Sequence, residues 1–384
     1  MSSLKVFDML TALTGATGFL GSYLLRELLA TGGEVVALVR GSLATAARRV
    51  RHAVEATGSP LPEDFDQRVH LLRYDLHDHA LGLDRAAYTA LAESIDAVWH
   101  CAGSIALTGP WDQLYRTNVD GTRHVLELAR AAGPTTRVMH TSTAYVAGAR
   151  LHGLVREDEL DDTAGFQTPY EKSKFLAEQV VHDWARRHQH PVTILRPSVL
   201  VTDRPVPPGA PRHPLAEIAA KMSLLHQEEN IRALIELTGR DTLHLRIQGD
   251  PEALHNVVQV EHAAAAMVRI SGRAPDRLVN TCHIVHPRNT PVRMITDAMH
   301  VCCSRLKVDI VREAVTEGEA ERAAIDVGAG ISSYATLRRE YDRTQYLAAV
   351  GRLPDPPPVD EDYLLSALAI PASVDVAADR MRSL

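Results

Sequence analysis

Residues 14–21 of this 384-residue chain read TGATGFLG and space Gly15, Gly18 and Gly21 three residues apart. They follow a short apolar run at residues 9–14 and open a leucine-rich stretch with helical spacing at residues 20–29. Glycine permits a tight turn, lets the main chain approach a pyrophosphate, and lets helix and strand pack closely. The first N–H groups of the helix then face the anion. This stretch therefore predicts a strand, a phosphate-binding turn and a helix.

The alternation of strand and helix continues through the first half of the chain. Short runs rich in β-branched residues predict further strands at residues 34–40, 68–76, 96–103, 137–146 and 191–201. The stretches between these strands have the apolar periodicity of amphipathic helices. Repeated alternation of this kind predicts an α/β fold with a doubly wound parallel sheet, the Rossmann fold.

The pattern changes at the proline-rich stretch DRPVPPGAPRHP, residues 203–214, which predicts a loop and a domain junction. We expect a Rossmann domain that binds NADP at residues 1–201 and a smaller, mostly helical substrate-binding region at residues 202–384. Parts of residues 241–290 are expected to return to the Rossmann domain. Beyond the loop we predict helices at 214–238 and 260–270 and a helical tail, with strands at 241–247, 280–286 and 307–312.

Composition and charge exclude several classes of protein. The formal net charge is −7, and no block of Lys or Arg suggests a nucleic-acid or membrane-surface partner. No apolar run reaches the roughly 20 residues that cross a bilayer, and the first ten residues lack a signal-peptide pattern, so we expect a cytoplasmic protein. The chain has four cysteines, Cys101, Cys282, Cys302 and Cys303. They have neither CxxC spacing nor a nearby ligand cluster, so no metal site or disulfide framework is expected.

The end of the second predicted strand indicates which dinucleotide is bound. An acidic residue at this point accepts hydrogen bonds from the adenosine ribose of NAD, whereas a cation accommodates the 2′-phosphate of NADP. The strand here ends in Arg40, so NADP(H) is predicted over NAD(H), unless Arg40 is simply a solvated charge. Asp75, at the end of the third strand, is interpreted either as a partner of the adenine ring or as a helix N-cap.

The stretch TPYEKSKFLAEQVV, residues 168–181, contains Tyr170 and Lys174 one helical turn apart on the same face. A tyrosine with a pKa of about 10 is a poor acid or base at neutral pH. A neighbouring ammonium stabilises the phenolate, so we expect Lys174 to lower the pKa of Tyr170 towards the working range. The strand before this helix ends in the hydroxyl residues Thr141, Ser142 and Thr143, and such a hydroxyl suits the binding of a substrate oxygen.

Taken together, TGATGFLG, HCAG (100–103), NVDGTRHVLELA (118–129), HTSTAYVAG (140–148), YEKSK (170–174) and LRPS (195–198) resemble the extended short-chain dehydrogenases/reductases. The resemblance covers residues 11–201. It implies that Thr143, rather than Ser142, is the catalytic hydroxyl and that Tyr170 is the general acid. It also implies that Lys174 binds the nicotinamide ribose and tunes Tyr170, and that Asn118 supports a helix kink and a proton relay.

The resemblance further implies a set of cofactor-binding residues. Pro197 is expected near the nicotinamide. The full set is Gly15, Thr17, Gly18, Phe19, Leu20, Gly21, Arg40, Asp75, Leu76, Cys101, Ala102, Gly103, Tyr170, Lys174 and Pro197. Glu261 stands where the family often has an aspartate before a helix of small residues, and its role is left open.

Within the family, the sequences of these motifs are most similar to those of the thioester-reductase and fatty-acyl-reductase branch. The resemblance implies an NADPH-dependent reductase that transfers hydride to the carbonyl of a ketone, aldehyde or thioester. The substrate is a small molecule, either free or bound to a carrier protein or coenzyme A, and a homodimer is left open. Two alternatives stay open: a nucleotide-sugar epimerase or dehydratase with tightly bound NAD, and a non-catalytic dinucleotide sensor.

Overall fold

The computed structural model describes residues 9–225, 243–302, 306–313 and 334–368. The chain divides into two compact units. The first comprises Met1–Leu200, Val258–Pro287 and Arg339–Pro356, and the second comprises Val201–Val257, Arg288–Arg338 and Pro357–Leu384. Two distant segments of the second half therefore belong to the same unit as the glycine-rich turn.

The strands are, in chain order, β1 (Leu10–Thr14), β2 (Glu34–Val39), β3 (Val69–Arg73), β4 (Ala97–His100), β5 (Arg137–Thr141), β6 (His152–Val155), β7 (Val192–Pro197), β8 (Val199–Val201), β9 (Leu243–Gln248), β10 (Leu254–His255), β11 (Val257–Gln259), β12 (Val279–Ile284), β13 (Thr290–Pro291), β14 (Leu306–Val311) and β15 (Arg338–Tyr341). Seven of them form one sheet in the order β12-β7-β5-β4-β1-β2-β3. Every neighbouring pair in this sheet is parallel. The predicted doubly wound parallel sheet is confirmed.

The α-helices are α1 (Phe19–Ala30), α2 (Leu43–Glu55), α3 (Phe65–Arg68), α4 (Arg85–Ser94), α5 (Trp111–Tyr115), α6 (Gly121–Ala132), α7 (Pro169–His188), α8 (Pro214–Leu225), α9 (Val260–Ser271), α10 (Val292–Cys302), α11 (Thr344–Val350) and α12 (Glu361–Leu368). A π-turn at Arg116–Asp120 joins α5 to α6, and 3₁₀ turns occur at His79–Gly82 and Ala144–Ala147. The alanine-rich α9 shares a buried apolar cluster with α1. Small side chains allow the two helices to approach closely.

The register of the sheet brings the carboxyl ends of its central strands to one edge. Thr14 of β1 lies opposite His100 of β4, and His100 lies opposite His140 of β5. Thr141, at the end of β5, lies opposite Leu195 of β7. Ligands of doubly wound sheets bind at this edge, where the chain leaves the strands.

The second unit has its own small elements. Strand β9 pairs with β14 in parallel, and β10 pairs with β13 in antiparallel fashion. Helices α8, α10 and α12 belong to this unit. The proline-rich loop is confirmed up to residue 213, because α8 begins at Pro214.

Several predicted boundaries differ from the observed ones. The strand predicted to end at residue 146 ends at Thr141, since the chain then turns and the Tyr145 N–H donates to Thr143 Oγ1. The strand predicted at residues 68–76 covers only Val69–Arg73. Residues 226–242 of the predicted helix and strand, the tail beyond residue 368, and Cys303 lie outside the described residues. None of the helices that the structure describes is both long and apolar enough for a bilayer span.

Candidate active site

The glycine-rich turn is held by close backbone contacts that only glycine allows. Gly15 has a φ of +79°, and a Cβ atom there would lie 2.8 Å from the Ala102 nitrogen. A Cβ at Gly21 would lie 1.9 Å from the Gly15 carbonyl oxygen, which also accepts the Gly18 N–H at 2.8 Å. Gly15 and Gly21 are thus required for the turn itself.

Helix α1 starts immediately after this turn with its N-terminus open to an anion. Its N-cap is Gly18, which is exposed and provides no capping side chain, and the first turn contains no acidic residue. Thr17 and Phe19 are partly buried beside Gly18, whereas Leu20 is buried in the core. The first N–H groups of the helix and its dipole favour a phosphate here. This turn and helix fit the pyrophosphate of a dinucleotide.

Two arginines lie at the end of β2. Arg40 is exposed, and its carbonyl oxygen accepts a 2.7 Å hydrogen bond from the guanidinium of Arg49, which extends from α2. Burial raises the pKa of Tyr74 to about 12, and the charge of Arg40 opposes that rise. The charge of Arg40 therefore acts on Tyr74, the residue that follows β3.

Asp75 and Leu76 have separate local roles after β3. The Asp75 carboxylate accepts the His77 N–H at 2.9 Å, which closes a turn rather than capping a regular helix. Leu76 is buried against Gly121, where a Cβ atom would lie 2.7 Å from the Leu76 Cγ. Asp75 is exposed at the edge of the sheet, whereas Leu76 fixes the start of α6.

The chain after β4 is attached to the glycine-rich turn. Thr14 Oγ1 accepts the N–H groups of both Cys101 and Ala102 at 3.0 Å. Cys101 and Ala102 are partly buried, and burial raises the pKa of the Cys101 thiol to about 11. Gly103 is exposed and lies against Asn118, whose Oδ1 would be 3.0 Å from a Cβ at Gly103.

Asn118 is buried in the π-turn and joins three segments. Its Oδ1 accepts the Ser104 N–H at 2.8 Å, and its Nδ2 donates to the Ser104 carbonyl at 3.0 Å. The same Nδ2 donates to Ser173 Oγ at 2.8 Å, and Ser173 Oγ donates to the Tyr170 carbonyl at 2.8 Å. The π-turn corresponds to the expected kink, and such bulges occur frequently at functional sites.

Helix α7 carries the tyrosine and the lysine, and its first turn is stabilised locally. Thr168 and Glu171 form a reciprocal capping box, and Pro169 occupies a first-turn position. Tyr170 and Lys174 follow on one face of the helix, the first partly exposed and the second buried. The cap therefore fixes where the tyrosine–lysine face begins.

Thr143 and Tyr170 lie together at the carboxyl edge of the sheet. The Thr143 hydroxyl is close enough to the Tyr170 hydroxyl to lower the pKa of that phenol. The Thr143 hydroxyl also donates to the carbonyl of Pro197 at 3.3 Å. Ser142 is buried, and its N–H donates to the Leu195 carbonyl at 2.8 Å. Thr143, rather than Ser142, is thus the hydroxyl that affects the pKa of Tyr170.

The pKa of Tyr170 differs from the expectation. Burial raises it to about 12, and the neighbouring Thr143 hydroxyl only partly opposes the rise. Lys174 does not produce the expected lowering, and its ammonium donates to the Thr141 carbonyl at 2.8 Å. Burial also lowers the pKa of Lys174 to about 8, an effect that Glu178 opposes. Tyr170 is therefore a protonated phenol at neutral pH.

A buried ion pair ties α7 to β7 beneath this pair. Arg196 and Glu178 are at most 1% exposed, and two nitrogens of Arg196 donate to the Glu178 carboxylate at 2.6, 2.9 and 3.2 Å. Another donates to the Glu157 carbonyl at 3.2 Å. Because Arg196 directly precedes Pro197, the ion pair holds the tyrosine–lysine helix against the strand that carries Pro197.

Sequence reasoning missed three residues that the structure links to the site: Ser104, Ser173 and Glu178. A signal existed for two of them. Ser173 lies three residues after Tyr170, and Glu178 lies four residues after Lys174, which are both same-face spacings. Ser104 follows the HCAG motif with no distinguishing pattern. Glu261, left open above, lies in the first turn of α9.

The sheet, the glycine-rich turn and the tyrosine–lysine helix together define the class of the protein: an NAD(P)-dependent oxidoreductase of the extended short-chain dehydrogenase/reductase type. The chain belongs to the family described as "Male sterility protein", whose model matches residues 13–267. This finding confirms the resemblance that the motifs indicated.

Individual relatives agree with this class. A nonribosomal peptide synthetase of Aspergillus flavus is 33% identical over 202 residues, which cover 50% of this chain and 20% of the relative. A carboxylic acid reductase of Mycobacterium tuberculosis is 26% identical over 298 residues, which cover 72% of this chain and 24% of the relative. The chain thus spans about a quarter or less of the length of these relatives.

Solved structures show the same fold. The terminal R domain from the myxalamid PKS-NRPS biosynthetic pathway superimposes with a TM-score of 0.74 at 25% identity, covering 94% of this chain and 89% of that domain. UDP-glucuronic acid 4-epimerase from Bacillus cereus has a TM-score of 0.62 at 18% identity, covering 94% and 98%, and shares the fold. The chain is therefore an extended short-chain dehydrogenase/reductase of the thioester-reductase branch.

Proposed function

We propose that this chain is an NADPH-dependent reductase that converts a thioester, held on a carrier protein or coenzyme A, into an aldehyde. The observation that carries the proposal is the Thr143–Tyr170 hydroxyl pair, in which Tyr170 is held protonated at the edge where a dinucleotide binds. The choice of thioester rests on relatives that are terminal reductase domains of carrier-dependent synthetases and carboxylic acid reductases. Other carbonyl substrates have no comparable support.

Thr143 and Tyr170 orient the substrate and supply the proton. Their hydroxyl groups hydrogen-bond the carbonyl oxygen and stabilise the negative charge that develops on it. NADPH, when bound, supplies the hydride to the carbonyl carbon. Tyr170 then donates its proton to the oxygen, and the resulting hemithioacetal separates into a thiol and an aldehyde. With a pKa of about 12, the Tyr170 phenol is protonated before the reaction.

Lys174 and Asn118 assist this reaction by binding the cofactor and by positioning Tyr170. Lys174 is buried one helical turn from Tyr170, and its ammonium is proposed to bind the ribose hydroxyls of the cofactor. Asn118 fixes Ser104 and Ser173, and Ser173 in turn contacts the Tyr170 carbonyl. The side chain of Asn118 therefore contributes to the position of Tyr170 as well as to the kink.

The preference for NADPH follows from charge at the end of β2. Arg40 is an exposed cation, and Arg49 brings a second guanidinium to the Arg40 carbonyl. Two guanidinium groups suit a 2′-phosphate and offer no acceptor to a ribose hydroxyl.

The second unit of the chain is the proposed substrate-binding region.

The test is a comparison of cofactor consumption with two kinds of substrate. Purified protein is incubated with NADPH and an acyl-pantetheine thioester, and NADPH absorbance, free thiol and aldehyde are measured. The proposal predicts one equivalent of NADPH consumed for each thiol and aldehyde released. The protein is incubated in parallel with UDP-sugars and catalytic NAD. Turnover of the sugar without net NADPH consumption would instead support an epimerase, and activity with neither substrate would overturn the proposal.

A further inference from the structure

A buried chain of hydrogen bonds runs beneath the cofactor edge and includes two residues that the proposed chemistry does not use. His100 Nδ1 lies 3.0 Å from Thr14 Oγ1, and His100 Nε2 lies 3.2 Å from Thr122 Oγ1. The Thr122 hydroxyl donates to the Asn118 carbonyl at 2.6 Å. His100 and Thr122 are 4% and 1% exposed, so neither faces solvent.

The partners of each group determine which group donates and which accepts in this series of hydrogen bonds. The Thr122 hydroxyl has one proton, which goes to the Asn118 carbonyl, so its oxygen accepts from His100 Nε2–H. His100 Nδ1 is then the acceptor and receives the Thr14 hydroxyl proton at 3.0 Å, a shorter contact than the 3.4 Å from the same hydroxyl to the Trp99 carbonyl. Burial lowers the pKa of His100 to about 3, which agrees with a neutral ring. Every donor and acceptor in the chain is thus used in one consistent direction.

The series of hydrogen bonds connects the glycine-rich turn at one end with Asn118 in the π-turn at the other. Thr14 directly precedes Gly15 and accepts the N–H groups of Cys101 and Ala102, so it joins the glycine-rich turn to the end of β4. At the other end, Asn118 joins the π-turn to Ser104 and Ser173. The imidazole of His100 is the only side chain of this hydrogen-bond series that spans the interval between β1 and α6.

We infer that His100 and Thr122 are positioning residues that hold the glycine-rich turn and Asn118 in register, so that dinucleotide binding depends on two side chains buried beneath the binding edge. This inference rests on the proposed function only in assuming that the chain binds a nicotinamide dinucleotide. A group aligned in this way limits the reorganisation that binding requires. Removal of the Thr122 hydroxyl would leave the buried His100 N–H without its acceptor.

The first test compares Thr122→Val with Thr122→Ser. Valine matches threonine in shape but removes the hydroxyl, whereas serine keeps the hydroxyl and loses a methyl group. Affinity for NADPH is measured by fluorescence titration, and folding is checked by thermal melting. We expect Thr122→Val to weaken NADPH binding about tenfold and Thr122→Ser to restore most of the affinity. Equal affinity of a folded Thr122→Val variant and the wild type would overturn the inference.

A second test measures the wild type and so applies even if Thr122→Val does not fold. The ring nitrogens of His100 are observed by ¹⁵N NMR at neutral pH, with His100→Gln or another His100 substitution used only to assign the signal. The inference predicts a neutral ring with its proton on Nε2. A proton on Nδ1, or a doubly protonated ring, would overturn it. If the wild type bound neither NADPH nor NADH, the proposed function would be wrong. Failure of the proposed function is therefore distinguishable from failure of the positioning role of His100 and Thr122.

Discussion

Glu178→Gln is expected to lower the free energy of unfolding by about 3–5 kcal/mol, because it leaves a buried guanidinium without its counter-charge. The structure sets this magnitude. Glu178 and Arg196 are 0% and 1% exposed, and the carboxylate receives three close hydrogen-bond contacts from Arg196. No solvent is available to replace the lost charge. The assay is urea denaturation followed by far-ultraviolet circular dichroism at neutral pH.

The same helix provides a matched control. Asp183 and Arg186 form an ion pair on the exposed face of α7, with both side chains about two-thirds exposed. Asp183→Asn should therefore cost less than about 1 kcal/mol. The double variant Glu178→Gln/Arg196→Met should be less destabilised than the sum of its single variants, because no unpaired charge remains. If Glu178→Gln costs no more than Asp183→Asn, the ion pair does not hold α7 against β7.

Three further predictions concern catalysis, cofactor choice and pH. Tyr170→Phe should lower kcat/KM for the thioester by about 10²–10⁴-fold because the proton donor is lost, while thermal melting shows a folded protein. Arg40→Asp should lower the ratio of kcat/KM with NADPH to that with NADH by at least about tenfold, because a carboxylate repels the 2′-phosphate and accepts from a ribose hydroxyl. Burial raises the pKa of Glu157 to about 7, above its unfolded value, so its contribution to stability declines as pH rises from about 5 to 8. Glu157→Gln should lack this decline, which is on the order of 3 kcal/mol, in urea denaturation at the two pH values.

Each of these predictions has a contradicting outcome. Wild-type turnover by Tyr170→Phe would remove the phenol from the chemistry. An unchanged cofactor preference in Arg40→Asp would remove the assigned phosphate contact. An identical pH slope in wild type and Glu157→Gln would mean that the carboxyl titrates near its ordinary value, because its three backbone N–H donors from His283, Gln345 and Tyr346 offset the effect of burial.

The sheet and the two motifs at its edge could be predicted from sequence because their signals are local. Gly21 is required by a backbone contact within the turn, and Gly15 by its positive φ as well as by the chain that follows the neighbouring strand β4. Tyr170 and Lys174 lie one helical turn apart, so their shared face follows from spacing alone. Such features depend on few distant residues, and the structure retains them.

The supports of the site could not be predicted, because their partners are far apart in the chain. The buried guanidinium of Arg339 stacks over the Tyr145 ring at 5.1 Å and donates to the Gly148 carbonyl at 2.7 Å, across about 190 residues. Glu157 binds N–H groups more than 120 residues away. The pKa of Tyr170 was predicted in the wrong direction for the same reason, since spacing specifies the neighbour but neither its hydrogen-bond partner nor the burial.

The most direct test of the account follows the hydride itself. NADPH deuterated at the transferable C4 position is mixed with an acyl thioester and the protein in a single turnover, and the aldehyde is analysed by mass spectrometry. The proposed chemistry predicts one deuterium at the former carbonyl carbon in the wild type and formation of the same aldehyde at least about 100-fold more slowly with Tyr170→Phe. Aldehyde that lacks the label, or deuterated aldehyde formed at the wild-type rate by Tyr170→Phe, would contradict it.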